Sequence, residues 1–142
     1  MTKRGLAASI FVAALAAFIA SSIWYGAIFG GIWRQLAPSA SGSVGPPEIV
    51  AQFTRNLIVG AVLARLIVSS RAADWLGAVR VGLWCWLGFQ AMAIAGSVIH
   101  EGYPLTLYAI HTGDALVTTL LMSFVIGFWR QRSVGLHTAT PP

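Results

Sequence analysis

Near the middle of the apolar run from Leu105 to Trp129 stand His111 and Asp114, one helical turn apart. An imidazole and a carboxylate at that spacing share a helix face. At membrane depth such ionisable groups are costly, so they mark a place where function or internal pairing must be sought. Arg55 and Asn56 stand in another apolar run. Counting along the runs puts Arg55, Asp114 and His111 all within about 9 Å of their midpoints, to the same side. An unpaired Arg or Asp near the bilayer centre costs roughly 2.5–3.5 kcal/mol on insertion scales. An Arg55–Asp114 pair, with His111 and Asn56 beside it, would relieve both charges and bring those two runs into contact. The cluster has two readings: a polar lock that fixes helix register, or a small polar pocket or ion path opening outward. No further acidic or basic relay crosses the opposite leaflet.

Other chemistry finds less support. His100-Glu101 begins like a zincin motif but has no second histidine at the needed spacing, and His100, His111 and Asp114 could share a metal only if the chain folded back suitably. No metal and no cofactor is expected. Cys85, the lone cysteine, cannot form an intrachain disulfide and reads as a small packed hydrophobe. The sequence carries no Gly-rich phosphate loop, nucleophile elbow or kinase signature, so the chain is taken as non-enzymatic. Gln90 is the only strongly polar side chain near the centre of its run.

The elements that must position these groups follow from composition. With 142 residues, 57% hydrophobic and 9% charged, the chain has too little polar surface to solvate a soluble globule. A formal charge of +5 is spread singly and in pairs beside apolar runs, which reads as membrane topology and excludes nucleic acid as a partner. Four runs, 6–32, 49–69, 79–99 and 105–129, each supply the roughly 20 residues needed to cross a bilayer core. They lack the alternation of barrel strands, so each satisfies its backbone as a helix. The fold class is an all-α, integral membrane four-helix bundle in a single domain, 1–142.

Lys3, Arg4, Arg71, Arg130 and Arg132 fall on one side of this topology and Arg34 on the other, which predicts both termini in the cytoplasm and residence in the inner membrane. The same topology sets Trp75, Trp84, Trp86 and Trp129 toward the inner interface, and Trp33, Tyr103 and Tyr108 toward the outer one. A Lys-Arg pair before an Ala-rich stretch imitates a secretory signal, but the apolar run continues through Phe29 and suits a retained helix. Between Arg34 and Glu48 a Gly/Pro/Ser-rich stretch predicts a long external loop, and the short later connections predict that the second to fourth helices form a tight unit with the first tethered more loosely. The tail 133–142 is expected to be disordered. Glycines 26, 30, 31, 60, 82, 88, 96, 113 and 127 read as packing devices.

Four further segments carry a resemblance. The stretch Trp24-Tyr25-Gly26-Ala27-Ile28-Phe29-Gly30-Gly31-Ile32-Trp33, then Trp86-Leu87-Gly88-Phe89, then Glu101-Gly102-Tyr103-Pro104-Leu105, and last the run from Ile110 to Gly127-Phe128-Trp129 resemble, in order and spacing, the bacterial family catalogued as domain of unknown function 1761. The resemblance covers nearly the whole chain. It implies a small four-span membrane protein with no established activity and transfers no site residue. Many relatives carry Asp where this chain has His111, which weakens any mechanism that needs imidazole specifically.

The expected function is thus that of a multi-pass membrane protein, non-enzymatic and structural or interacting, with a polar cluster at Arg55, Asn56, His111 and Asp114. Its partners would be the lipid bilayer and a second copy or another membrane protein. A small transporter or channel acting as a homo-oligomer is the alternative, and an intramembrane enzyme a more remote one. A cavity reaching Asp114 would favour transport; a dry Arg55–Asp114 contact would favour the lock.

Overall fold

A computed structural model describes residues 2–37 and 45–138, with side chains through Ser133. It is all-α, without a strand among the described residues. Four helical segments are long and apolar enough to cross a membrane: Lys3–Ile28, Pro46–Ser69, Trp75–Glu101 and Leu105–Ser133. We call these the first to fourth spans. The second to fourth are longer than their expected runs, the first begins and ends earlier than its own, and part of the predicted Gly/Pro/Ser loop, 38–44, lies outside the described residues, as does 139–142 of the tail. The rest of the tail continues as helix through Thr138.

The first span is not a uniform helix. It comprises α1 (Lys3–Ile23), whose start is capped by the Thr2 hydroxyl, and a π-helical turn over Trp24–Ile28. At Phe29 the chain leaves helical geometry and restarts as the short α2 (Gly30–Leu36), so the single helix expected over 6–32 is broken there. The second span is α3 (Pro46–Ser69), its Gly45 N–H bonded to the Glu48 carboxylate in a capping arrangement. The third runs α4 (Trp75–Cys85), a second π-helical turn over Trp86–Ala91, and α5 (Met92–Glu101), which ends on Gly102 at φ 65°. That left-handed stop suits glycine and turns the chain within three residues into α6 (Leu105–Thr138), the fourth span.

Helix α6 is the axis of the molecule. It packs most extensively against α1 on one side and α4 on the other, while α3 leans chiefly on α1. The first span is therefore a principal partner of the fourth, not the loose element expected from its long connection. Loop length limits how far two helices can separate; it does not choose which apolar faces fit best. Edge-to-face contacts of Phe53 with Phe11 and Phe18, at 5.7 and 6.0 Å between centroids, fasten α3 to α1.

The two ends of the molecule differ. Toward the end that carries the termini, Ala13, Ala17, Ala64, Ala78, Met122 and Ile126 join a continuous core. Small residues let the backbones close in: a Cβ on Gly82 would sit 2.1 Å from Ser123 Oγ, and one on Gly127 would sit 2.5 Å from Ala78 Cβ. By contrast, a Cβ on Gly26, Gly31, Gly88 or Gly96 would meet nothing within 4 Å, so the packing role expected of these four does not hold. At the other end the spans separate, and among the described residues α5 leans on α6 as its main neighbouring span.

Candidate functional site

The separation leaves a cavity of about 1220 Å³, walled by all four spans. From the first come Phe18, Ser21, Ser22 and Tyr25; from the second, Gln52 and Arg55; from the third, Phe89, Gln90 and Ser97; from the fourth, His111, Asp114 and Ala115. Trp33, Arg34, Glu48 and Tyr103 stand at its mouth, toward the connections between the spans. Three of the four residues singled out by sequence thus share one chamber. The fourth, Asn56, is buried at 5% exposure but is absent from the cavity wall, and its Nδ2 finds no partner among the described residues. Arg55 and Asn56 are consecutive on a helix, so their side chains leave about 100° apart and cannot serve the same chamber equally.

The geometry does not support the direct pair expected between Arg55 and Asp114. Among the described residues neither forms an ion pair: Asp114 Oδ1 accepts from the Ser21 hydroxyl at 2.6 Å, and Arg55 donates to Gln52 Oε1 at 3.4 Å. The expected contact of second and fourth spans does occur, through other residues. Position along a helix axis carries no azimuth. Asp114 turns toward α1, and its partner is a serine of the first span.

This arrangement gives a clear expected result. In a double-mutant cycle, Ser21→Ala and Asp114→Ala should couple by about 0.6–1.7 kcal/mol, from the average to the strongest interhelical hydrogen bonds measured in membranes. Arg55→Gln and Asp114→Asn should add within about 0.5 kcal/mol. Unfolding in mixed micelles measures both; coupling of the arginine cycle above that of the serine cycle would restore the ion-pair lock.

Around His111 the wall is aromatic. Tyr25 Oη lies 2.6 Å from His111 Nδ1, and the Tyr103 ring stacks on the imidazole at 6.0 Å between centroids. Trp33 meets Tyr25 edge-on at 5.5 Å. Tyr103 lies in the turn outside the spans; burial, and secondarily the charge of Glu101, push its phenol up, so it stays neutral through the physiological range. On the opposite wall the Gln90 amide and the Thr119 hydroxyl bond to each other, Nε2 to Oγ1 at 2.8 Å, fixing Gln90 in place. Among the described residues no group of three or more His, Cys, Asp or Glu side chains is placed to hold a metal; His100 is not among the cavity-lining residues.

Both π-helical turns bear on the site, and sequence reading missed their role. Trp24 Nε1 donates to the Ile110 carbonyl at 3.0 Å, and Trp86 Nε1 to the Thr112 carbonyl at 2.9 Å. The two tryptophans grip α6 from opposite neighbours, two residues apart, next to His111. A Cβ on Gly113 would lie 2.7 Å from Trp24 Cζ2, so that glycine is the seat of the indole. Trp86 is thus an internal clamp and not the interfacial anchor expected from topology. The available signal was the repeated Trp-x-Gly, which opens both turns.

An all-α chain with four helices long and apolar enough to cross a membrane, surrounding at one end a mainly apolar cavity that carries several polar and charged groups, fits the membrane-spanning class. The chain belongs to the family described as Protein of unknown function (DUF1761), whose model matches residues 8–127. No curated protein and no solved structure matches it.

Proposed function

We propose that this chain is a non-enzymatic membrane binding protein whose polar pocket takes up a ligand from one face of the bilayer. The observation that carries this reading is the cavity itself: it reaches Asp114, with no contact between Asp114 and Arg55 filling it, while the opposite half is closed by small-residue packing. A polar group held near mid-membrane without a neutralising cation costs stability, and a chain serving only as a packed bundle would not need it. Basic residues beside the termini and the 70–74 turn, against Arg34 at the cavity end, support an inner-membrane protein with cytoplasmic termini and a pocket opening to the outside. Transport is the second reading, favoured by the same reach to Asp114. It requires the closed half to open in turn, in one chain or in a homo-oligomer.

Cysteine accessibility tests the pocket. In a Cys85→Ser background, Ser22→Cys on the cavity wall should react with a small membrane-impermeant thiosulfonate added outside intact cells. Its rate should exceed by at least about tenfold that of Ile126→Cys in the closed half, where the native side chain has 0% exposure. Equal rates, or labelling of Ser22→Cys only from the cytoplasmic side, would overturn the reading.

A further inference from the structure

A second cavity, of about 450 Å³, adjoins the first. It is a groove between α3 and the third span, walled by Ile58, Val62 and Leu66 on one side and Cys85 and Phe89 on the other. The two hollows share Phe89 and Gln90. Ile58, Val62 and Leu66 are also open to the exterior, at 61%, 54% and 39% exposure, so the groove faces the surroundings laterally. From Ile58 to Leu66 it extends roughly 12 Å along the helix, away from the mouth of the polar chamber.

The chamber's charges are unequally engaged. Glu48 is occupied by the Gly45 N–H at the start of α3, and Asp114 by the Ser21 hydroxyl. Arg55 has only the long contact to Gln52, forms no ion pair among the described residues, and is exposed on the cavity wall. Among the described residues no carboxylate pairs with it, so its guanidinium keeps donors free to take a carboxylate or phosphate in preference to any neutral group. Gln90, held by Thr119, forms a fixed sill between chamber and groove, and Phe89, at 72% exposure, stands beside it with room to move.

We propose that the pocket binds an anionic amphiphile with a single hydrocarbon chain, its head against Arg55 and its chain laid past Phe89 into the groove between α3 and the third span. This rests on the pocket reading above and gives it a ligand class. A soluble anion would use the chamber alone and leave the groove unexplained; an ordinary neutral lipid tail would use the groove alone and leave Arg55 unexplained. Only a ligand with both parts matches both hollows, and lateral entry would deliver it without passage through water.

Quenching of tryptophan fluorescence in phosphatidylcholine nanodiscs tests the proposal, with 9,10-dibromostearate as probe, its methyl ester as the uncharged control, and acetate and inorganic phosphate as head-only competitors. Expected is a saturable quenching component for the acid at least tenfold stronger than for the ester. Arg55→Gln should remove that difference, and Val62→Phe, which narrows the groove at an exposed position, should weaken the acid several-fold. If acid and ester quench alike without saturation, or neither Arg55→Gln nor Val62→Phe changes the midpoint, the proposal is wrong. If acetate or phosphate displaces the probe as well as unbrominated stearate does, the amphiphile is wrong while the polar pocket stands. The pocket itself fails only with the thiosulfonate result, which is read independently.

Discussion

Asp114→Leu should make the folded protein more stable, by about 1–3 kcal/mol, while slowing the labelling of Ser22→Cys on the wall of the cavity it narrows. Asp114 is 6% exposed, lies about 14 Å along α6 from Leu105, and holds one hydrogen bond to Ser21. Insertion scales separate Asp from Leu by roughly 3–4 kcal/mol at a helix centre, and the lost hydrogen bond returns about 1 kcal/mol of that difference. Leucine does not overpack, because the cavity lies beside it. Ser21 would be left without its acceptor but can bond to the carbonyl four residues back, as Ser22 already does to Phe18. Unfolding in mixed micelles, together with thiosulfonate labelling of Ser22→Cys, measures both halves of the prediction. A fall in stability of similar size would show that the aspartate is a structural lock and that the pocket has been misread.

The second large effect concerns the closed half. Gly82→Ala should destabilise by about 1–3 kcal/mol, since the new methyl would stand 2.1 Å from Ser123 Oγ and 2.9 Å from its Cβ. Both clashing atoms belong to one small side chain, so Ser123→Gly should recover most of the loss. Gly127→Ala should be at least as damaging and should resist the analogous remedy. Its methyl meets Ala78 Cβ at 2.5 Å, which Ala78→Gly removes, but also the Trp75 Cα at 2.9 Å, which no side-chain change can move. Thermal unfolding of the two single and two double variants distinguishes these outcomes. Equal rescue at both positions would mean that α4 can slide along α6 and that the backbone contact at Trp75 is not limiting.

What could be read from sequence, and what could not, divides along physical lines. The four spans were legible because membrane insertion depends on summed hydropathy, which is local and additive. His111, Asp114 and Arg55 were legible because a polar group in an apolar run stands out against its neighbours. The pairing of spans was not, because in a membrane the residues facing lipid and those facing protein are equally apolar; nothing along α1 announces that Ala13 and Ala17 are buried while Phe11 and Leu15 are exposed. Ser21 escaped notice for a related reason: serines are common in such helices and usually bond their own backbone, as Ser22 and Ser123 do. The π-helical turns escaped because their one local mark, Trp-x-Gly, also stands at Trp75-Leu76-Gly77 within α4, where no such turn forms; what sets the two turns apart is the fit of Trp24 and Trp86 against α6, a tertiary cause.

One of those turns also sets the rotational phase of the chamber. A π turn adds a residue to one revolution, so everything beyond it is displaced by about 100° from where an uninterrupted α-helix would point it. Ile94 and Ser97 lie beyond the turn in the third span, with the helix continuing unbroken through α5, and both line the cavity. Relaxing the turn in the third span to α geometry would swing both residues off the wall without unpacking the closed half. The indole bond of Trp86 to the Thr112 carbonyl acts as a detent on that rotation. The width of the mouth is thereby tied to one hydrogen bond on a single helix.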